Sequence, residues 1–189
     1  MRCLVIAALA ASVTPALAGS VQIDFDGSDE PNLPWGTLLD NQYDIDPFYL
    51  DFNGTARIRG GDPEAQVKGN FLSNSEIRMT TRSGYAMSNI VLDLEIRAFQ
   101  TVTLEFLDAG GTIVDSTSRV GGLTWTLFDD LDFSHLTGIT EIRAYDNGQT
   151  FRLDDINYHV APSAVVIPLP TAAGIGLLGL GLVGVRRSR

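Results

Sequence analysis

From residue 90 onward the apolar positions recur every second residue. Ile90, Leu92, Leu94 and Ile96 alternate with Val91, Asp93, Glu95 and Arg97, and Val102, Leu104 and Phe106 alternate with Thr101, Thr103 and Glu105. A period of two is that of a strand with one face on a core and the other toward water. Asp108-Ala109-Gly110-Gly111, leading into the stretch 112–117, predicts a hairpin. Leu123, Trp125 and Leu127 alternate with threonines, which predicts another strand with Trp125 in the core, and Phe133-Ser134-His135-Leu136 reads as a loop. Residues 139–145 and 150–160 complete the series, joined by the turn Asp146-Asn147-Gly148-Gln149. Upstream, residues 26–47 are polar, with Pro31, Pro34 and Pro47, and read as a long loop carrying Trp35. Asn53-Gly54-Thr55 and Gly60-Gly61-Asp62-Pro63 are turns. Between the two ends of the chain no segment carries a helical stripe. The pattern predicts an all-β domain, an antiparallel β-sandwich.

One strand breaks its own parity. Phe151 and Leu153 share a face, but the next apolar residues are Ile156, Tyr158 and Val160, so the alternation slips by one at Asp154-Asp155. Because alternation has a period of two, either the strand bulges at the two aspartates or one set of these apolar residues faces outward. A bulge bearing two carboxylates is a candidate cation site.

The two ends read differently. Residues 1–18 carry one basic residue, Arg2, an apolar run from Leu4 to Ala11, and small residues at Ala16 and Ala18 before Gly19. This is the pattern of a cleaved signal peptide with its signal helix. At the other end, the apolar run from Ala172 to Val185 spans roughly 20 Å as a helix, short of the ~30 Å hydrocarbon core, and stops at Arg186, Arg187 and Arg189. By the positive-inside rule these stop-transfer arginines stay in the cytoplasm. Residues 164–189 therefore form a tail with a transmembrane helix, and residues 19–163 the β-sandwich domain.

Ile167-Pro168-Leu169-Pro170-Thr171, followed by a short Gly/Leu-rich span and terminal arginines, resembles the VPLPA-CTERM variant of the PEP-CTERM sorting signals. Ile167 stands where that family has Val, and Thr171 where it has Ala. The resemblance implies export by signal peptidase across the inner membrane of a Gram-negative bacterium and anchoring in the membrane through the C-terminal helix. An exosortase-type membrane protease would then release the protein to the cell surface or the extracellular space.

Composition narrows the chemistry. Cys3 is the only cysteine and falls within the signal peptide, so the mature domain has no thiol or disulfide. All 23 acidic residues lie between the two ends against nine basic ones, a net charge of −14 for the exported part. Such a surface repels nucleic acid, so no nucleic-acid partner is expected. The acid is mostly Asp, the favoured oxygen ligand of Ca²⁺. Val21-Gln22-Ile23-Asp24-Phe25-Asp26-Gly27 at the start and Phe151-Arg152-Leu153-Asp154-Asp155-Ile156 at the close look like the jelly-roll modules of PEP-CTERM proteins, which are similar to carbohydrate-binding modules. By that likeness a structural calcium ion ties the first strand to the last, through Asp24 or Asp26 with Asp154 or Asp155.

His135 and His159 are the only histidines, and no HxH or HExxH spacing, nucleophile elbow or phosphate-binding glycine loop occurs. No catalytic residue is assigned and no enzymatic activity is expected; a glycoside hydrolase would need two carboxylates across a cleft. Among Trp35, Tyr43, Phe48, Tyr49 and Trp125, which could stack on sugars, Trp35 is the candidate ligand contact. The expected function is that of an exported cell-surface or matrix protein, structural or adhesive in an exopolysaccharide layer. The alternative is a carbohydrate-binding module with a defined sugar ligand.

Overall fold

The computed structural model describes residues 19–25, 31, 33–60 and 70–163. Ala16, Ala18, Asp26, the 167–171 motif, Arg186, Arg187 and Arg189, and with them both expected terminal helices, lie outside the described residues. Gly19, where the mature chain is expected to begin, is the first residue of the first strand.

In chain order the strands are β1 (Gly19–Ile23), β2 (Leu38–Leu39), β3 (Leu50–Asp51), β4 (Ala56–Gly60), β5 (Asn70–Asn74), β6 (Glu76–Thr81), β7 (Tyr85–Ile96), β8 (Thr101–Leu107), β9 (Ile113–Val120), β10 (Thr126–Ile139), β11 (Glu141–Tyr145) and β12 (Phe151–Pro162). Among the described residues there is no helix. The larger sheet runs β10-β7-β12-β5-β4-β2, with β1 and β5 sharing one edge of β12 end to end; the smaller runs β3-β6-β11-β8-β9. All pairings are antiparallel.

The predicted alternation sets the core. Ile90, Leu92, Leu94 and Ile96 of β7 and Val102, Leu104 and Phe106 of β8 are fully buried and face each other across the two sheets. Each such side chain contributes about 1.5–3 kcal/mol by leaving water. Phe106 and Phe133, from opposite sheets, meet at 4.5 Å between ring centroids. The hairpin at residues 108–111 joins β8 to β9 as expected, with the Asp108 carboxylate accepting from the Gly110 and Thr112 N–H groups. Of the two readings of the parity slip in β12, the bulge is the one present, immediately after Asp154. Asp154 pairs with Asp93 but Asn157 pairs with Val91, and Ile156, Tyr158 and Val160 all return to the core.

Within the long loop expected over residues 26–47, the described residues include the short strand β2 and the fully buried Tyr43. Tyr43, Phe48 and Phe52 form an edge-to-face aromatic cluster with Phe25, plugging one end of the sandwich. The buried Tyr158 hydroxyl donates to the Phe48 carbonyl at 2.7 Å. Tyr49 stacks on Tyr85 at 4.5 Å, with the Arg82 guanidinium over its ring and a 2.7 Å ion pair from Arg82 to Asp44. Tyr43 and Phe48 are therefore core residues rather than sugar platforms; burial of their rings outweighs the polar character of the surrounding sequence.

The segment containing His135 is not a loop. It belongs to β10, whose pairing with β7 shifts register between Phe128 and Leu131 and again between Phe133 and Thr137. Those irregularities hide a long strand by breaking its alternation. His135 lies 3.7 Å from Asp115, and His159, in β12, lies 3.2 Å from the Asn89 amide.

Candidate functional site

Two features stand on the outer face of the larger sheet, the face away from the core. The first is a cleft of about 510 Å³ over β4, β5 and β12. Register explains its lining. Arg57 pairs with Ser73 and Arg59 with Phe71, Ser73 pairs with Arg152, and Arg152 pairs with Glu95. Directly paired residues share a face, so these side chains form one band across four strands.

Trp35 forms one wall. It occupies the second position of a turn in which the Thr37 N–H donates to the Pro34 carbonyl at 3.0 Å, and Gly36 takes φ +85° at the third. A type II turn requires that left-handed third residue, and glycine adopts it without strain. The turn is fastened to β4 by Gly36 N–H to the Ile58 carbonyl (2.9 Å) and Ile58 N–H to the Thr37 carbonyl (3.0 Å). The indole it carries is 64% exposed, with the Arg59 guanidinium 5.1 Å from the ring centroid.

Trp125 forms the opposite wall, and here the expected core position is overturned. Leu127 pairs with Glu95 on the outer face, while Phe128 pairs with Leu94 and packs against the core. Trp125 has the parity of Leu127, so it too turns outward and is half-buried; Leu123 is 81% exposed. The Trp125 ring covers the Arg152 guanidinium at 3.7 Å, and Phe71 lies on it at 4.9 Å. Held among these rings, Arg152 Nη1 donates to Glu95 Oε2 at 2.7 Å, with both side chains removed from water. The cleft thus has a floor of ion pair and aromatic rings, and walls made by two indoles.

The second feature lies along the same face, where two bulges flank β7. Asp129-Asp130 on β10 bulge opposite Asp93, and Asp155-Ile156 on β12 bulge next to the paired Asp154. Asp130 and Asp155 adopt positive φ, +49° and +45°, a conformation that aspartate tolerates better than most residues. The Asp130 N–H donates to Asp93 Oδ1 at 2.8 Å. One carboxylate oxygen from each of Asp93, Asp129 and Asp130 lies within 4.8 Å of the others, a group that could hold a metal ion. Burial pushes the Asp93 carboxyl up to about 6; the Asp130 N–H opposes this, and the charges of Asp129 and Asp155 add to it.

Of the four aspartates suggested as ligands, Asp154 faces Asp93 across the strand pair, and Asp155 accepts from the Gln22 amide of β1 at 3.3 Å. The first strand lies beside the last, β1 pairing with β12 with Ile23 opposite Ile156. Asp24 follows β1 and is not among the three grouped carboxylates. Asp93, Asp129, Arg57 and Arg59 carry no sequence signal of their own; strand register brings Asp93 to Asp129, and places Arg57 and Arg59 in line with Ser73, Phe71 and Arg152. The outward parity of Trp125 relative to Phe128 is the one signal that could have placed it.

A scan against protein-family models and a search of curated proteins return no match. Among solved structures, TmCBM61 in complex with β-1,4-galactotriose aligns with 67% of this chain and 98% of its own, at 13% identity and a TM-score of 0.30. An arabinose-bound MgGH51 α-L-arabinofuranosidase aligns with 56% of this chain at 14% identity and a TM-score of 0.33. The enzymatically active domain of bacteriophage CBA120 tailspike protein 4 aligns with 66% at 15% identity and a TM-score of 0.26. The matched segments span 22% of the arabinofuranosidase and 20% of the tailspike chain. Likeness at this level adds nothing to the residues themselves.

Proposed function

We propose that the β-sandwich is a non-catalytic carbohydrate-binding module of the jelly-roll type, carried by an exported protein that acts adhesively in an exopolysaccharide layer. The observation that carries this reading is the cleft between Trp35 and Trp125. An indole offers a flat apolar surface to the C–H face of a sugar ring, and a concave site with a few fixed polar groups supplies orientation. Ser73, Asn74 and Thr150 at the cleft wall are such groups. Hydrolysis of a glycosidic bond needs an acid and a second carboxylate flanking the bond. Among the described residues the cleft lining contains neither, since Glu95 lies beneath it, fully buried and bonded to Arg152. Export and release rest on the signal-like N-terminus and the Pro168-Leu169-Pro170 tail.

The reading includes a structural Ca²⁺ at Asp93, Asp129 and Asp130. Oxygens on opposite sides of Ca²⁺ are at most about 5 Å apart, which the spread of the three carboxylates matches. Its charge would relieve the repulsion at Asp93 and tie β7 to β10. A glycan array with the purified full chain tests the binding function: a saturable saccharide ligand, lost on Trp35→Ala, is expected. Retention of every bound glycan by that variant would rule out the cleft.

A further inference from the structure

We infer that the polysaccharide held between Trp35 and Trp125 is an acidic one, recognised through its carboxylates by Arg57 and Arg59; this rests on the carbohydrate-binding reading above. The chain carries 23 acidic and 13 basic residues, yet among the described residues three arginines and no acid line this cleft. Arg78, Arg82, Arg143 and Arg152 are each in an ion pair with Asp or Glu. Among the described residues Arg57 and Arg59 are in none. Arg57 donates only a long 3.4 Å bond to the Gly36 carbonyl, and Arg59 leans on the Trp35 ring. Arg97 and Arg119 are also outside ion pairs but do not line the cleft.

The geometry matches a uronic-acid polymer better than a neutral one. Arg57 and Arg59 are two positions apart on one strand, so both project to the outer face, about 7 Å apart along it. A guanidinium binds a carboxylate through two parallel N–H···O bonds, a fixed fork that reads planar anions. The adjoining indole supplies the stacking surface, so one sugar unit can meet ring and fork together. The negative charge of the whole domain opposes an anionic ligand, but charges beyond about 8–10 Å are screened at physiological salt. Contact at the fork therefore decides.

Affinity electrophoresis and calorimetry of the full-length chain against polygalacturonate and alginate, each beside its carboxyl-reduced form, test this. The reduced polymers keep backbone and linkage but lose the charge. Binding to at least one acidic polymer is expected to weaken by about tenfold or more on carboxyl reduction, and similarly in Arg57→Gln/Arg59→Gln. Arg57→Lys/Arg59→Lys should recover only part, because it restores charge without the fork. Far-UV circular dichroism of each variant confirms the fold; both side chains are at least partly exposed. Equal binding to acidic and reduced polymers, with loss on Trp35→Ala, would overturn the acidic assignment and leave the carbohydrate-binding reading intact. Binding to dextran sulfate but to neither uronan would also overturn it, as recognition of sulfate. Binding to no polymer, acidic or neutral, would reject both.

Discussion

Arg152 and Glu95 pair at 2.7 Å beneath the Trp125 ring, on neighbouring strands and out of contact with water. A buried pair adds little to stability over an apolar pair of the same shape, but half of one is costly, because the remaining charge has no solvent. Glu95→Ala is therefore expected to lose about 3–5 kcal/mol in urea denaturation, while Glu95→Leu/Arg152→Met recovers much of that loss. If the double variant is as unstable as the single one, the pair itself is stabilising and the floor of the cleft has been misread.

The turn that presents Trp35 makes a second prediction. A Cβ at Gly36 meets open space, so packing does not forbid a larger residue, but φ +85° does. Gly36→Ala should cost about 1–2 kcal/mol and Gly36→Asn less, because asparagine tolerates the left-handed region. Thermal melting checks the order. Glycan affinity should fall with it, since the turn places the indole.

Gly121 differs in kind. A Cβ there would lie 2.1 Å from the Arg97 carbonyl oxygen, and the Gly121 N–H already donates to the Gln100 carbonyl at 2.8 Å. Backbone must move, so Gly121→Ala is expected to destabilise by about 1–3 kcal/mol or more. Because this segment leads into Trp125, the indole fluorescence of that residue should change as well; a variant with unaltered melting and emission would contradict the close approach.

Stability should also respond to pH and calcium together. The Asp93 carboxyl sits at about 6 in the folded protein against 3.8 ordinarily. A native pKa above the unfolded one means that the native state holds the proton more tightly. The associated stability is complete below about pH 4 and is lost as pH rises through 6, by no more than about 3 kcal/mol. Melting in EDTA should show this fall between pH 4 and 6. Calcium, which needs the ionised carboxylate, should raise the midpoint above pH 6 and flatten the slope. Asp93→Asn should remove both effects; an unchanged midpoint with calcium at pH 7 would exclude the ion.

The alternation of Ile90 to Ile96 and of Val102 to Phe106 is enough to predict their strands, because a half-buried antiparallel strand imposes period two on its sequence. The parity slip at Asp154-Asp155 is legible for the same reason, but that it is a bulge, with the apolar residues on both sides reaching one core, is decided by the pairing of β12 with β7. β10 is not legible as one strand, because its bulges remove the period over residues 129–137. The site is less legible still. Trp125 has two apolar neighbours of its own parity, which masks the opposing parity of Phe128, and the pairings of Leu127 with Glu95 and Phe128 with Leu94 show that it is Trp125 that turns outward. Asp93 and Asp129 are 36 positions apart and meet through register alone. The loop position of Trp35 between Pro34 and Gly36 does point to exposure, and the structure agrees.

The most direct test of the cleft uses the two tryptophans, the only ones in the chain. Their indole N–H groups give two resolved signals in a ¹H–¹⁵N spectrum, assigned by Trp35→Phe and Trp125→Phe. Titration with soluble oligosaccharides of a polymer that the protein binds should shift both signals along one saturable curve. A saccharide that binds while leaving both indole signals in place would show that the glycan is held elsewhere and that this cleft is not the binding site.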